Sequence, residues 1–179
     1  MEGTREGPQA SYARPEVYLR EMRLGDLDQV LQIETRSFPT PWSRKAFVSE
    51  LTRNRYAYYI IAQMDDRVVG YGGMWVIGDE AHITNIAVDP ECRRRGIGKR
   101  LLQELLDRAR DFGARSVTLE VRRSNVAAQR LYEGQGFEAR GVRKGYYTDT
   151  GDDAIVMVKT LEGDDQRQGI GRWPFTLWE

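Results

Sequence analysis

Three strand-like segments follow one another in the middle of this chain, and their adjacency constrains the fold more than any other feature. "YAYYIIAQM" (56–64), "VVGYGGMWVI" (68–77) and "EAHITNIAV" (80–88) are rich in β-branched and aromatic residues, with no helical period between them. Asp65-Asp66 reads as the turn of an antiparallel hairpin joining the first two. Uniform strand–helix alternation, the mark of a doubly wound parallel sheet, is therefore absent.

The flanking patterns complete a mixed α/β reading. "VYLREM" (17–22) alternates as a first strand, and Asp26 opens a helix whose stripe is Leu27, Val30, Leu31 and Ile33, running to about Ser37. Pro39 and Pro41 punctuate a loop, and Ser43 is the expected N-cap of a short helix through Leu51. Beyond the three strands, Ile97, Leu101, Leu102, Leu105, Leu106 and Ala109 share one helical face, and Gly113 ends that helix as a C′ residue. "SVTLEV" (116–121) is a strand, and Ser124 or Asn125 caps a helix that stops at Gly136. "FEARGVRKGYY" and "AIVMVKT" are two strands joined across the acidic turn "TDTGDD" (148–153). The predicted order is β-α-α-β-β-β-α-β-α-β-β, without internal repeats. Residues 1–15, rich in Gly, Pro and polar side chains, read as a flexible arm, and 162–179 as a tail ending "GRWPFTLWE". One domain spanning 16–161 remains.

Composition narrows the chemistry. Lys+Arg and Asp+Glu both total 27, so bulk charge favours neither nucleic acid nor a membrane surface. There is one cysteine, Cys92, and one histidine, His82, which leaves no disulfide framework and no Cys/His metal site. No apolar run approaches the roughly 18 residues of a spanning helix, and the first residues lack a signal-peptide core. A cytoplasmic location is expected.

The segment "IAVDPECRRRGIGKRLL" (86–102) carries the most specific chemistry. Arg93, Arg94 and Arg95 repel one another, and Gly96 and Gly98 weaken a helix start. An anion brought close to bare backbone explains both costs. A helix N-terminus offers unpaired N–H groups and the positive dipole end, glycine removes the Cβ, and arginine supplies planar multidonor contacts. The pattern is neither a Walker A loop, since Lys99 is followed by Arg100, nor a dinucleotide fingerprint, since Leu101 replaces the third glycine. It fits [RQ]-x-x-G-x-[GA] between a strand and a helix. "RQGIGR" (167–172) echoes the pattern, but Trp173-Pro174 follows it instead of a helix.

This loop resembles the acyl-CoA loop of the GNAT N-acetyltransferases. "LEVRRSNVAAQRLYEGQGF", "VRKGYYTDTGDDAIVM" and "FPTPWSRKAF" extend the likeness over about residues 17–160, to the bacterial ribosomal-protein-alanine N-acetyltransferases (RimI type) in particular. The resemblance implies a mostly antiparallel sheet of about seven strands with four helices, its central strands splayed to form an acyl-CoA cleft. It implies that the backbone of Ile86, Ala87 and Val88 meets acetyl-pantetheine. The segment Arg93, Arg94, Arg95, Gly96, Ile97, Gly98 and Lys99 then holds the diphosphate. The implied activity is acetyl transfer from acetyl-CoA to a protein N-terminal α-amine, with the alanine-starting small-subunit ribosomal protein eighteen as substrate.

Acetyl transfer to an amine needs a base, because a free α-amine with a pKa of about 7.7–8.0 is mostly charged at neutral pH. Thr118 and Glu120 point away from the face of Val117, Leu119 and Val121, and the resemblance makes Glu120 that base. Without it, a solvated carboxylate is the lesser alternative reading of Glu120. Tyr132 is the implied acid for the departing thiolate. Asn125, two helical turns earlier, is the implied partner of the pantetheine arm. Trp42, Tyr146 and Tyr147 are the expected acceptor-binding residues. The acidic turn either attracts a basic substrate or is ordinary turn chemistry. No serine or cysteine nucleophile is evident, so direct attack in a ternary complex is expected. Rival readings are a GNAT enzyme acting on other N-termini, lysines or small amines, and a noncatalytic CoA-binding regulator.

Overall fold

A computed structural model describes residues 16–161, so the expected arm (1–15) and tail (162–179) lie outside the described residues. The elements are β1 (Val17–Glu21), α1 (Leu27–Ser37), α2 (Arg44–Thr52), β2 (Ala57–Met64), β3 (Arg67–Ile77), β4 (Glu80–Val88), α3 (Ile97–Asp111), β5 (Ser116–Arg122), α4 (Val126–Glu133), β6 (Glu138–Tyr147) and β7 (Asp152–Thr160). Short 3₁₀ turns at Leu24–Asp26 and Pro90–Cys92 are additions to the expected order. The seven strands form one mostly antiparallel sheet in the order β1-β2-β3-β4-β5-β7-β6. The chain forms two compact units, one of residues up to Trp75 with Ile83–Leu105, the other of Val76–His82 with residues from Leu106 on.

In the first unit, β1 pairs with β2 and β2 with β3, both antiparallel, and the expected hairpin turn falls at Asp65-Asp66. Residues Val68 to Met74 of β3 are buried throughout, which is why this strand reads as a continuous apolar run. Its glycines serve close approach. A Cβ on Gly70 would meet the Ala87 carbonyl oxygen at 3.0 Å and Leu101 at 3.1 Å. The helix α3 can therefore lie close against the strand, burying Ile97, Leu101, Leu102 and Leu105 at 2% exposure or less. A second cluster joins Leu27, Val30 and Ile33 of α1 to Phe47 of α2 and to Tyr59, Ile61 and Tyr71 of the sheet. Ser43 caps α2 as expected, its hydroxyl accepting the Ala46 N–H at 3.2 Å.

In the second unit, β5 pairs antiparallel with β7, and β7 with β6, so the last strand of the sequence lies between the two before it. The start of β4 runs parallel to β5, with Glu80, Ala81 and His82 opposite Ser116, Val117 and Thr118. Val117, Leu119, Val121, Tyr132, Phe137, Ala154 and Met157 make its core. The expected helix stop at Gly113 is a left-handed residue, φ +86°.

Candidate active site

The basic loop of the first unit is built for backbone exposure. Asp89 caps the Pro90–Cys92 turn, its carboxylate accepting the Glu91 N–H at 3.0 Å. Arg36 and Arg67 each bridge Asp89 and Glu91, at 2.7 to 3.2 Å, so the turn is tied to α1 and β3. After it, Arg94 (φ +60°) and Gly96 (φ +79°) are left-handed. The position at Arg94 costs about 1 kcal/mol for a residue with a Cβ. Left-handed residues before a helix turn successive N–H groups towards one side, the form of an anion nest. Arg94, Arg95, Gly96 and Lys99 are exposed, whereas Ile97 is buried and anchors the helix. Gly98 is half-buried in the first turn, whose N–H groups have no partner within a helix.

Arg93 is turned the other way. Its Nε donates to the Val88 carbonyl at 3.1 Å, and its guanidinium reaches the Ser37 hydroxyl at 3.4 Å. This arginine closes the end of β4 and takes up the carbonyl of one of the three residues expected to meet pantetheine. Ala87 is buried, and Ile86 and Val88 are half-buried. Cys92, beside the arginines, is buried at 3% exposure.

Trp42, before α2, packs its ring on Phe47 at 5.5 Å. Its N–H donates to Glu34 at 2.8 Å, and the Tyr71 hydroxyl donates to the other oxygen of that carboxyl group. Glu34 is 2% exposed within the α1 cluster. Burial pushes its pKa up to about 7, although the Trp42 N–H opposes the shift. A polar line continues from Tyr71 through Asn85 and Thr84 to the hydroxyl of Tyr59, and on to Glu50, which also accepts the Trp75 indole N–H at 2.5 Å.

In the second unit, Glu120 is far from a solvated carboxylate: its side chain is 7% exposed. His82 Nε2 lies 3.2 Å from one oxygen and an Arg143 nitrogen 3.4 Å from the other. Burial pushes His82 below the ordinary imidazole range, Glu120 pulls it up and Arg143 adds to the lowering, so the ring is neutral at pH 7. Tyr132 is buried, with Phe137 at 5.9 Å, and burial pushes its hydroxyl up to about 12. Asn125 rather than Ser124 caps α4, its side-chain oxygen accepting the Ala128 N–H at 3.1 Å. Asn125 is exposed whereas Tyr132 is buried, so two helical turns do not give them the same surroundings.

The acidic turn is held from within. Asp149 is 2.7 Å from Arg122, whose guanidinium also covers the Tyr147 ring at 3.9 Å. Ser124 donates to Asp152, and Asp153 accepts the Gly145 N–H at 2.9 Å. These contacts favour turn chemistry over attraction of a basic substrate. Tyr146 is 44% exposed and packs edge-on against Tyr147 at 5.1 Å.

Residues 27–137 match the Acetyltransferase (GNAT) family. The chain belongs to the GNAT acetyltransferase family. A Bacillus subtilis (strain 168) relative of this acetyltransferase, provisionally named a ribosomal protein bS18-alanine N-acetyltransferase, is 43% identical over 143 residues, covering 80% of this chain and 95% of that protein. The ribosomal protein bS18-alanine N-acetyltransferase of Escherichia coli (strain K12) is 40% identical over 135 residues, covering 74% and 90%. The crystal structure of the ribosomal-protein-S18-alanine N-acetyltransferase from Escherichia coli superposes with a TM-score of 0.76 at 33% identity, covering 86% of this chain and 99% of that one.

For this acetyltransferase, sequence reasoning missed Glu34 and the partners of Glu120. Glu34 lies seven residues after Leu27, on the same helical face, and a carboxyl on an apolar stripe is a readable anomaly. His82 carried no comparable mark, because its meeting with Glu120 follows from the parallel β4–β5 register. Among the described residues, no helix is long and apolar enough to cross a membrane.

Proposed function

We propose that residues 16–161 act as one acetyltransferase domain that moves acetyl from acetyl-CoA to the N-terminal α-amine of a protein, the alanine-starting ribosomal protein bS18. The observation that carries this reading is identity of 40–43% to relatives named for that reaction, over 90–95% of their length. The exposed amides and cations of Arg94–Lys99 suit a diphosphate, with Arg93 holding the strand end beside it. The edge of β4 at Ile86–Val88 takes the pantetheine arm, with Asn125 as a further contact. Trp42, Tyr146 and Tyr147 recognise the acceptor.

Glu120 is the base. It takes the proton of the ammonium group, directly or through water, with His82 Nε2 3.2 Å from one carboxylate oxygen and Arg143 3.4 Å from the other. Positioned proton transfer of this kind contributes about 10²–10⁴-fold. The amine then attacks the thioester carbonyl carbon, the C–N bond forms, and the C–S bond breaks as a second N–H proton passes through solvent to the departing sulfur, which leaves as the thiol. Tyr132 donates to the departing sulfur. With its hydroxyl at about 12, complete transfer to an ordinary thiolate would cost roughly 5 kcal/mol, so the phenol acts chiefly as a hydrogen-bond donor. Buried Cys92 is poorly suited to carry an acetyl group, in keeping with direct attack.

The test is mass spectrometry of an alanine-starting bS18 peptide after incubation with enzyme and acetyl-CoA. Acetyl on the α-amine is expected. Acetyl found only on lysine of an N-terminally blocked peptide would move the assignment to side-chain acetylation, and CoA binding without any transfer would make the chain a regulator.

A further inference from the structure

Glu34 is costly where it stands. A leucine at that place in the α1 cluster would bury apolar surface without desolvating a carboxyl group. What the carboxyl does is local and specific. The connection between α1 and α2 comprises residues 38–43, and two of them, Pro39 and Pro41, have no backbone N–H with which to fasten it. Glu34 grips both sides of this connection. Its backbone carbonyl accepts the Phe38 N–H at 3.0 Å, and its carboxyl group accepts the Trp42 N–H at 2.8 Å. The same carboxyl takes the Tyr71 hydroxyl, which Asn85 Nδ2 approaches at 3.4 Å, so the connection is referred to β3 and β4. Asn85 immediately precedes Ile86, the first residue assigned to the pantetheine edge.

We propose that Glu34 is a positioning residue for acceptor recognition: it fixes the loop carrying Trp42 against the Tyr71–Asn85 pair, and so sets how the first residues of the acceptor peptide are read. The inference rests on the assignment of Trp42 to the acceptor side. Phe47, which packs on Trp42 at 5.5 Å and edge-on against Tyr71 at 5.7 Å, fixes the ring, and Glu34 fixes the backbone beneath it. Removing the carboxyl group frees the loop without touching acetyl-CoA contacts. Its effect therefore falls on the acceptor.

The experiment is steady-state kinetics of Glu34→Ala, Glu34→Gln and Trp42→Ala in the full chain, varying acetyl-CoA and the alanine-starting peptide separately. A buried hydrogen bond is worth enough that Glu34→Ala should raise the acceptor KM about tenfold, with the acetyl-CoA KM changing less than about twofold. Glu34→Gln keeps an acceptor for the Trp42 N–H and should recover most of the loss. Faster hydrogen exchange at the Trp42 amide in Glu34→Ala is the direct structural readout, with slow exchange restored in Glu34→Gln. An unchanged acceptor KM, a parallel rise in both KM values, or a glutamine variant no better than alanine would overturn the proposal. If Trp42→Ala raises the acceptor KM and Glu34→Ala does not, only the positioning role falls; if Trp42→Ala has no effect, the acceptor-side assignment falls first. Should Glu34→Ala not fold, Tyr71→Phe supplies the same test, with a smaller rise confined to the acceptor.

Discussion

Glu34 also makes a sharp prediction about stability and pH. Its carboxyl group is raised from an ordinary 4.5 to about 7 by burial, so the folded protein holds this proton more tightly than the unfolded chain does. The stabilisation is therefore complete below about pH 4.5 and disappears as pH rises through about 7. At 2% exposure, screening by solvent does little to discount it. The whole effect is worth roughly 3 kcal/mol, of which about 2 kcal/mol falls between about pH 5.5 and 8.5. Glu34→Gln removes the titration while keeping the shape. Urea unfolding of wild type and Glu34→Gln at both pH values gives two stability gaps, and their difference cancels carboxyl and histidine groups common to both proteins. The variant should gain about 2 kcal/mol on wild type at the higher pH. A gap that stays constant, or one that moves against the variant, would refute the reasoning that burial controls this carboxyl.

Three further outcomes follow from other parts of the molecule. Glu120→Gln should lower kcat by about 10²-fold or more with little change in the acetyl-CoA KM, read from initial rates under saturating peptide. Gly96→Ala should weaken CoA binding about tenfold in a calorimetric titration, because alanine disfavours φ +79°; open space around the new Cβ keeps the stability loss to about 1 kcal/mol. Gly70→Ala should lower urea-unfolding stability by about 1–3 kcal/mol, since the Cβ would press on the Ala87 carbonyl at 3.0 Å and on Leu101 at 3.1 Å.

Local patterns were legible because short-range physics makes them. Apolar runs rich in β-branched and aromatic residues in 56–64 and 68–77 mark buried strands, period 3.6 in 97–109 reports which side of a helix is buried, and the structure has those elements in the expected order. Ser43 and Gly113 were readable for the same reason, since a cap or a left-handed stop depends on neighbours within a turn. The basic loop stood out for the same local reason, and the structure has left-handed backbone there, at Gly96 and also at Arg94.

The sequence by itself determined the elements and their order, and it offered candidates for an anion-binding loop and a base. Only the tertiary structure decided that β7 lies between β5 and β6, that Arg93 serves the end of β4, and that Glu120 meets His82 and Arg143. It also decided that Glu34 is buried beneath the Trp42 loop and that the aspartates of 148–153 are held by the chain's own donors. The physical reason is distance along the chain. Periodicity records what a residue's immediate neighbours require, whereas strand pairing and the protonation of buried groups depend on residues dozens of positions away.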